Sequence, residues 1–179
     1  MMLNQQIHDL KDKVLSSVET YWGFVPPNIK DTLKLTAFTL WKVPMIAFLS
    51  PRVLWSSDDK MEIKIPLNYR SKNHLGSMYF GALAVGADLV VGTLALKHME
   101  SFDENIQLIF KDFKAEYLKR AEGDVHFICD KGAEIEELVR QAAEGDERVH
   151  LPVEAYATVP SISDEVVAKF VLTLSLKKK

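Results

Sequence analysis

The residues whose types could do chemistry lie between Asn73 and Asp88, in the segment NHLGSMYFGALAVGAD. Asp88 is an acid inside an apolar run from Met78 to Leu96, and Asn73 supplies an amide just upstream. A carboxylate is expensive to bury unless it is paired or its pKa shifts. Asp88 is therefore either satisfied structurally or kept for chemistry that uses a perturbed carboxyl group.

Other familiar chemistries have no motif in this sequence. The chain contains no H-E-x-x-H or C-x-x-C pair and its five histidines are scattered, so a zinc site lacks support. Ser77 is not in a G-x-S-x-G turn, and there is no glycine-rich phosphate loop of the Walker type. We therefore expect neither a metal nor a separate cofactor.

The composition is that of one globular domain. Of 179 residues, 47% are hydrophobic and 26% are charged, a balance that excludes a disordered chain. The net charge of −3 argues against a nucleic-acid partner, which favours a basic domain. The single cysteine, Cys129, excludes an internal disulfide, and the first ten residues lack the pattern of a secretory signal. We expect a cytoplasmic protein.

The apolar run from Met78 to Leu96 is long enough to raise the question of a membrane span. Asp88 would then lie near the bilayer centre, at a cost of about 2.5–3.5 kcal/mol. Three glycines also interrupt the run. The sequence therefore favours a buried central helix of a folded domain over a membrane span.

The first third of the chain is predicted to be helical. Apolar residues recur at helical spacing between Leu3 and Tyr21, and a second helical segment runs from about Asn28 to Lys42. All three tryptophans lie between residues 22 and 55. This region is interpreted either as a helical cap packed on the main domain or as a wall for an apolar ligand.

Downstream of this region the pattern becomes that of β-strands. Alternating apolar residues predict strands at 61–67, 106–118, 125–129, 149–159 and 166–176. The alternation slips near Ile109, and Pro66 ends the first of these strands or places it at an edge. Residues 133–144 predict a short acidic helix. Because the strands cluster after one central helix, the fold class is α+β, with an antiparallel sheet wrapped on that helix.

Two segments resemble motifs of the hotdog-fold acyl-CoA thioesterases, and among them the phenylacetyl-CoA thioesterase-like branch. That family's motif is N-x-x-G-x-x-H-G-G followed by an apolar stretch that closes with A-D, and Asn73, Gly76, Gly81 and Ala87-Asp88 fall in register. Residues 117–124, YLKRAEGD, are similar to the family's Y-L-x-P-A-x-x-G-D, with one residue fewer between alanine and glycine. The resemblance covers roughly residues 61–176. It predicts a helical N-terminal extension at 1–57 and a hotdog domain at 58–179.

The resemblance implies a role for each matched residue. Asp88 would be the general base or the nucleophile. The backbone N–H groups of Phe80 and Gly81 would polarise the thioester carbonyl. Asn73 would orient water or the carbonyl, and Tyr79, which stands where the family has His, would donate a hydrogen bond. Phe80 stands where the family has Gly, and a phenylalanine side chain there would reshape the pocket.

The resemblance also implies the partners. The substrate would be an acyl-CoA or another acyl thioester, so that coenzyme A is part of the substrate. The family builds its site between two subunits, which predicts a homodimer or homotetramer.

A non-enzymatic alternative stays open. The same fold could bind a fatty acyl group or acyl-CoA without turnover, and Tyr79, Phe80 and the aromatic N-terminal region favour that alternative. Asp88 would then only cap or hydrogen-bond the backbone of the neighbouring chain, and Asn73 would be a turn residue.

Overall fold

The computed structural model describes residues 25–102 and 104–179. The predicted helix between Leu3 and Tyr21 lies outside these residues. In chain order, the described elements are α1 (Pro27–Lys42), α2 (Pro44–Phe48), β1 (Arg52–Ser56), β2 (Met61–Ile65), α3 (Phe80–Met99), β3 (Ile106–Tyr117), β4 (Val125–Cys129), α4 (Gly132–Glu144), β5 (Val149–Val159) and β6 (Ser163–Lys178).

The strands form one six-stranded antiparallel sheet in the order β1-β2-β4-β5-β6-β3. The long helix α3 packs on this sheet. This is the predicted α+β hotdog fold. Five of the six strands were predicted from alternation, whereas β1 was not. Its burial explains this, because Val53 is its only deeply buried residue and a five-residue edge strand then shows no clear period.

Two irregularities of the predicted strands have visible causes. Strand β2 ends at Ile65, directly before Pro66, and it lies inside the sheet between β1 and β4. The slip predicted near Ile109 corresponds to a register shift between Phe110 and Phe113, where β3 pairs with β6. An extra residue at such a bulge changes which face the following side chains occupy.

Helix α3 forms the centre of the core. Its side facing the sheet is built from small and aliphatic residues, and an added Cβ at Gly86 would lie 2.2 Å from the Phe127 ring. A side chain at Gly86 would therefore push the helix off the sheet. The helix is long and apolar enough to cross a membrane, but half of its most apolar window is buried inside the fold. That burial is typical of a core helix.

Helix α1 is attached to the edge of the sheet. The Thr32 hydroxyl accepts a hydrogen bond from the Val53 N–H at 2.9 Å and donates one to the Asn28 carbonyl at 2.8 Å. Leu35 and Thr39 are buried beneath the helix. The predicted division into an extension at 1–57 and a hotdog domain at 58–179 stays a prediction, and β1 at 52–56 hydrogen-bonds to β2 within the same sheet.

Candidate active site

A cleft of about 690 Å³ separates helix α1 from helix α3. Its floor and walls come from α1, α2, β1, the start of β2, α3 and the first half of β3. Most of the side chains that line it are apolar: Leu35, Phe38, Val43, Ile46, Val53, Met61, Leu89, Leu96, Met99, Ile106, Leu108, Ile109 and Phe110. This volume lies within the range of pockets that hold small organic ligands.

Asp88 lines this cleft from the middle of α3. Burial raises the pKa of the Asp88 carboxyl above its usual value, because apolar surroundings disfavour the charged form. Within residues 25–102 and 104–179, no group donates a hydrogen bond to this carboxylate. A partly desolvated carboxylate facing an apolar cleft can accept a proton more readily than an ordinary surface aspartate.

Asn73 lies in the loop that precedes α3. Its side-chain oxygen accepts a hydrogen bond from the Leu75 N–H at 2.9 Å, and its amide donates to the Ser77 hydroxyl at 3.1 Å. Its backbone N–H also donates to the Ser77 carbonyl at 2.8 Å. Gly76, which completes the turn, has a φ of 83°, in the left-handed region that favours glycine. In this structure Asn73 closes the loop, which is the turn geometry expected of such a residue.

The loop leads directly into the start of α3. Tyr79 is the N-cap residue and donates its backbone N–H to the Ser71 carbonyl at 2.8 Å. The first N–H groups of any helix have no intrahelical acceptor. Among the described residues, no carbonyl outside the helix accepts the N–H groups of Phe80 and Gly81. These two donors, at the positive end of the helix dipole, suit an oxygen that develops negative charge.

Two aromatic side chains surround these donors. The Tyr79 and Phe80 rings lie 4.7 Å apart and both are about half exposed. The Tyr79 ring covers the Gly81 Cα, since a Cβ added at Gly81 would lie 2.5 Å from the Tyr79 Cε1. The hydroxyl-bearing ring therefore lies beside the helix start, where the resemblance placed a hydrogen-bond donor.

The structure does not bring Asp88 and the helix start together within one chain. Phe80 and Asp88 are eight residues apart on α3. At 1.5 Å per residue this corresponds to about 12 Å along the helix axis. One substrate carbonyl cannot contact the Phe80 N–H and the Asp88 carboxyl of the same chain. Tyr79, Phe80 and Gly81 thus form one cluster at the helix start, with Asn73 in the loop that leads into it, and Asp88 with the cleft forms another.

The second matched segment, residues 117–124, is hydrogen-bonded to the residues that precede α3. The Met78 N–H donates to the Ala121 carbonyl at 2.8 Å, and the Asp124 carboxylate accepts from the Leu67 N–H at 2.9 Å and from Lys64 at 3.0 Å. Burial opposes ionisation of Asp124, but these two hydrogen bonds outweigh it and lower the pKa of the Asp124 carboxyl. The segment 117–124 therefore anchors the loop and helix start, and Asp124 has a structural role.

Arg70 and Lys119 are basic residues of a type that could meet the phosphates of a coenzyme A substrate, and both already have partners within the chain. Arg70 donates to the Phe48 carbonyl at 3.1 Å and to the Ser50 hydroxyl at 3.0 Å. Lys119 pairs with Glu165. In the described part of the chain, no three His, Cys, Asp or Glu side chains come close enough to hold a metal ion.

Apart from Asp88, sequence reasoning did not identify the residues that line the cleft. Leu35 and Phe38 come from α1, Val53 from β1 and Phe110 from β3, so they are distant in sequence. Each has the type and spacing of an ordinary core residue. The available signal was the aromatic N-terminal region, interpreted either as a helical cap or as a wall for an apolar ligand. Helices α1 and α2 pack at the sheet edge and also line the cleft, so both interpretations stay open.

Comparisons with known proteins agree with this fold. The family described as "Domain of unknown function (DUF4442)" matches residues 32–175. No curated protein matches the sequence significantly. A Pseudomonas aeruginosa protein described as a protein of unknown function and a "Probable Thioesterase" is 25% identical, with a TM-score of 0.67 over 82% of this chain and 96% of that chain.

Two further solved structures are more distant in sequence. A protein with unknown function from Chlorobaculum tepidum is 17% identical, with a TM-score of 0.71 over 85% of this chain and 97% of that chain. A thioesterase from Haemophilus influenzae is 14% identical, with a TM-score of 0.57 over 79% of this chain and 88% of that chain. At these identities the likeness shows the fold alone.

Proposed function

The chain belongs to the DUF4442 family, and we propose that it is an acyl-CoA thioesterase, which hydrolyses a thioester to a free acid and coenzyme A. The observation that carries this proposal is the desolvated Asp88 carboxyl facing an apolar cleft in a hotdog fold. The segments 73–88 and 117–124, which pack together at the start of α3, also support a relation to the phenylacetyl-CoA thioesterase-like branch.

The proposed reaction begins with an activated water. The Asp88 carboxylate takes a proton from water, and the resulting hydroxide attacks the thioester carbonyl carbon. The carbonyl oxygen gains negative charge, which the N–H groups of Phe80 and Gly81 stabilise at a helix start. The C–S bond then breaks, and the proton held by Asp88 passes to the leaving thiolate. Attack by the carboxylate itself, followed by hydrolysis of the anhydride, uses the same groups.

The 12 Å separation along α3 makes a second copy of the chain part of this proposal. Asp88 of one copy would act with the helix start of another copy, which a homodimer or homotetramer supplies. Strand β3 lies at the edge of the sheet and exposes Ile109, Phe113 and Tyr117. An exposed edge strand with large apolar side chains is suited to pairing with another strand.

Asn73 and Tyr79 complete the proposed site. Because both polar groups of the Asn73 side chain are used within its loop, we assign Asn73 the positioning of the helix start. The Tyr79 hydroxyl would donate to the carbonyl or to water. We further propose a cytoplasmic protein whose only cofactor is the coenzyme A carried by its substrate, with neither nucleic acid nor a membrane span involved.

The test is release of free thiol from a panel of short, medium, long and aromatic acyl-CoAs. Turnover that disappears in Asp88→Asn would support the proposal. Equal turnover in Asp88→Asn, or no turnover on any member of the panel, would refute the role of Asp88. Asp58→Asn is the matched control, because Asp58 is an exposed carboxylate paired with Lys97, away from the start of α3.

Binding without hydrolysis is the second candidate, and one observation favours it. Tyr79 and Phe80 are each about half exposed, and the Tyr79 ring covers the Gly81 Cα. Crowding at the helix start would obstruct the approach of a thioester carbonyl. Co-purification of an acyl ligand with the wild-type chain, combined with absence of turnover in the thiol assay, would support the binding function.

A further inference from the structure

The residues of α3 that line the cleft differ in type along the helix. Asp88, Gly92 and Leu96 follow one another at intervals of four residues, and all three line the cleft. Residues at this spacing lie above one another on a helix. The face therefore presents a carboxylate, then a residue without a side chain, then a leucine.

Gly92 leaves open space at the middle of this face. A Cβ added there would meet only the Phe110 ring, at 3.7 Å and 3.8 Å, which is ordinary contact. Gly86 is different, because a Cβ there would lie within 2.4 Å of an aromatic ring. Glycine is thus required by packing at Gly86, whereas at Gly92 it keeps the cleft continuous between Asp88 and Leu96.

The wall opposite this face is mainly apolar, although Asp31 and Lys34 of α1 and Ser56 of β1 also line the cleft. Leu35 and Phe38 from α1, Ile46 from α2 and Val53 from β1 face α3 across the cleft. On α3, the charged residues that line the cleft after Asp88 are Lys97 and Glu100, which lie at the far end of this face. Between Asp88 and these charges, α3 contributes only one polar side chain to the cleft, that of Thr93.

The dimensions of the cleft indicate the size of its ligand. Asp88 and Leu96 are separated by about 12 Å along the helix axis. Because an extended alkyl chain zigzags, each C–C bond of about 1.5 Å advances it by about 1.3 Å along its axis, so a chain of about ten carbons spans this distance. A volume of about 690 Å³ also exceeds what a short or single-ring acyl group would fill.

We propose that the cleft binds a straight-chain aliphatic acyl group of about 8–12 carbons, whose tail passes over Gly92 between α3 and the N-terminal helices. The carbonyl end lies at Asp88, so this inference rests on the proposed function for the identity of the thioester. Gly92 determines chain length, because a side chain as large as leucine there would obstruct the cleft about 6 Å beyond Asp88 along the helix axis.

The experiment compares kcat/KM of the wild type and of Gly92→Leu on butyryl-, decanoyl- and phenylacetyl-CoA. We expect the wild type to prefer decanoyl-CoA by tenfold or more. In Gly92→Leu, turnover of decanoyl-CoA should fall by at least about tenfold and that of butyryl-CoA by less than about threefold, since each buried methylene contributes to binding. Gly92→Ala should give a smaller loss on decanoyl-CoA. Ala133→Leu, which adds the same side chain on the exposed face of α4, is the matched control.

Retained turnover of butyryl-CoA shows that Gly92→Leu is folded. Unchanged preference for decanoyl-CoA in Gly92→Leu would overturn the inference, as would a wild-type preference for butyryl- or phenylacetyl-CoA. If the wild type hydrolyses none of the three, the proposed function fails, and calorimetric binding of decanoate decides the inference separately. Decanoate binding that Gly92→Leu abolishes would support the cleft assignment, and absence of decanoate binding to the wild type would overturn it.

Discussion

Replacing Asp88 by asparagine should make the protein more stable while removing activity. Burial is what raises the pKa of the Asp88 carboxyl, and no described residue donates a hydrogen bond to it. The ionised side chain therefore destabilises the folded chain at neutral pH. Asparagine has nearly the same shape and carries no charge, so it avoids the cost of desolvating a carboxylate.

Single stabilising substitutions commonly raise the free energy of unfolding by about 0.5–2 kcal/mol, and we expect Asp88→Asn to fall in this range. For a domain of this size, 1 kcal/mol corresponds to a change in Tm of about 2–4 °C, so Asp88→Asn should raise Tm by roughly 1–8 °C at pH 8.

The pH dependence gives the prediction a definite sign. An unfolded aspartate loses its proton near its usual pKa of 3.8, whereas the folded chain holds the Asp88 proton to a higher pH. Between these two pKa values the folded state binds more protons, so the stability of the wild type falls as the pH rises. The difference in Tm between Asp88→Asn and wild type should be largest at pH 8 and should decrease as the pH is lowered towards 4.

The assay is thermal unfolding of both proteins at equal concentration, because an oligomer's Tm depends on concentration. Asp58→Asn is a suitable control, since Lys97 lowers the pKa of the Asp58 carboxyl and its loss should not stabilise the chain. A lower Tm for Asp88→Asn at pH 8 would refute the reasoning. It would show that Asp88 has a stabilising partner instead of an unfavourable apolar environment.

Further outcomes can be checked. Thioester hydrolysis should decline as the pH falls through the raised pKa of Asp88, with a midpoint above 3.8, because only the ionised carboxylate accepts a proton; a pH–rate profile of kcat/KM tests this. Gly86→Ala should lower the free energy of unfolding in urea by about 1–3 kcal/mol, because the added methyl group overpacks the core. Gly92→Ala should raise the same free energy by up to about 1 kcal/mol, because alanine has the higher helix propensity and its Cβ would meet no atom closer than 3.7 Å. Phe170→Ala should lower the free energy of unfolding by about 3–5 kcal/mol in the same assay, because Phe170 is 1% exposed and its ring packs against three other aromatic rings. Cys129 should react slowly with a disulfide reagent at pH 8 until the chain unfolds, because burial raises the pKa of its thiol to about 11.

Hydrophobic periodicity was sufficient to predict most of the fold. Strands β2 and β5 bury alternate side chains over most of their length, and apolar and polar residue types alternate along β6 although residues 172–176 are all buried. Helix α3 is apolar around most of its circumference, so these patterns are visible in the sequence. Strand β1 follows Pro51 and buries one residue deeply, which leaves no period to detect. Its place in the sheet depends on pairing with β2, a tertiary contact.

The candidate site was only partly predictable for a similar reason. Asp88 was identifiable because a charge is unexpected in an apolar run. The sequence was equally compatible with a turn role and a chemical role for Asn73. Only the hydrogen bonds to Leu75 and Ser77 show that its side chain closes the loop. The opposite wall of the cleft, with Phe38 and Val53, is created by the docking of α1 on β1. Apolar residues that line a cleft do not differ in type from those that fill a core.

Helix α3 explains why core and candidate site occupy the same segment. Its sheet-facing side needs small residues for close packing, as Gly86 against Phe127 shows, and that contact fixes the rotation of the helix. Once the rotation is fixed, Asp88 and Gly92 must face the cleft, since they lie two and six residues further along the same helix. Gly92 lowers the stability of the helix relative to alanine, and no packing contact at this position requires a glycine. The open space that Gly92 maintains is therefore better explained by a ligand than by the stability of the fold.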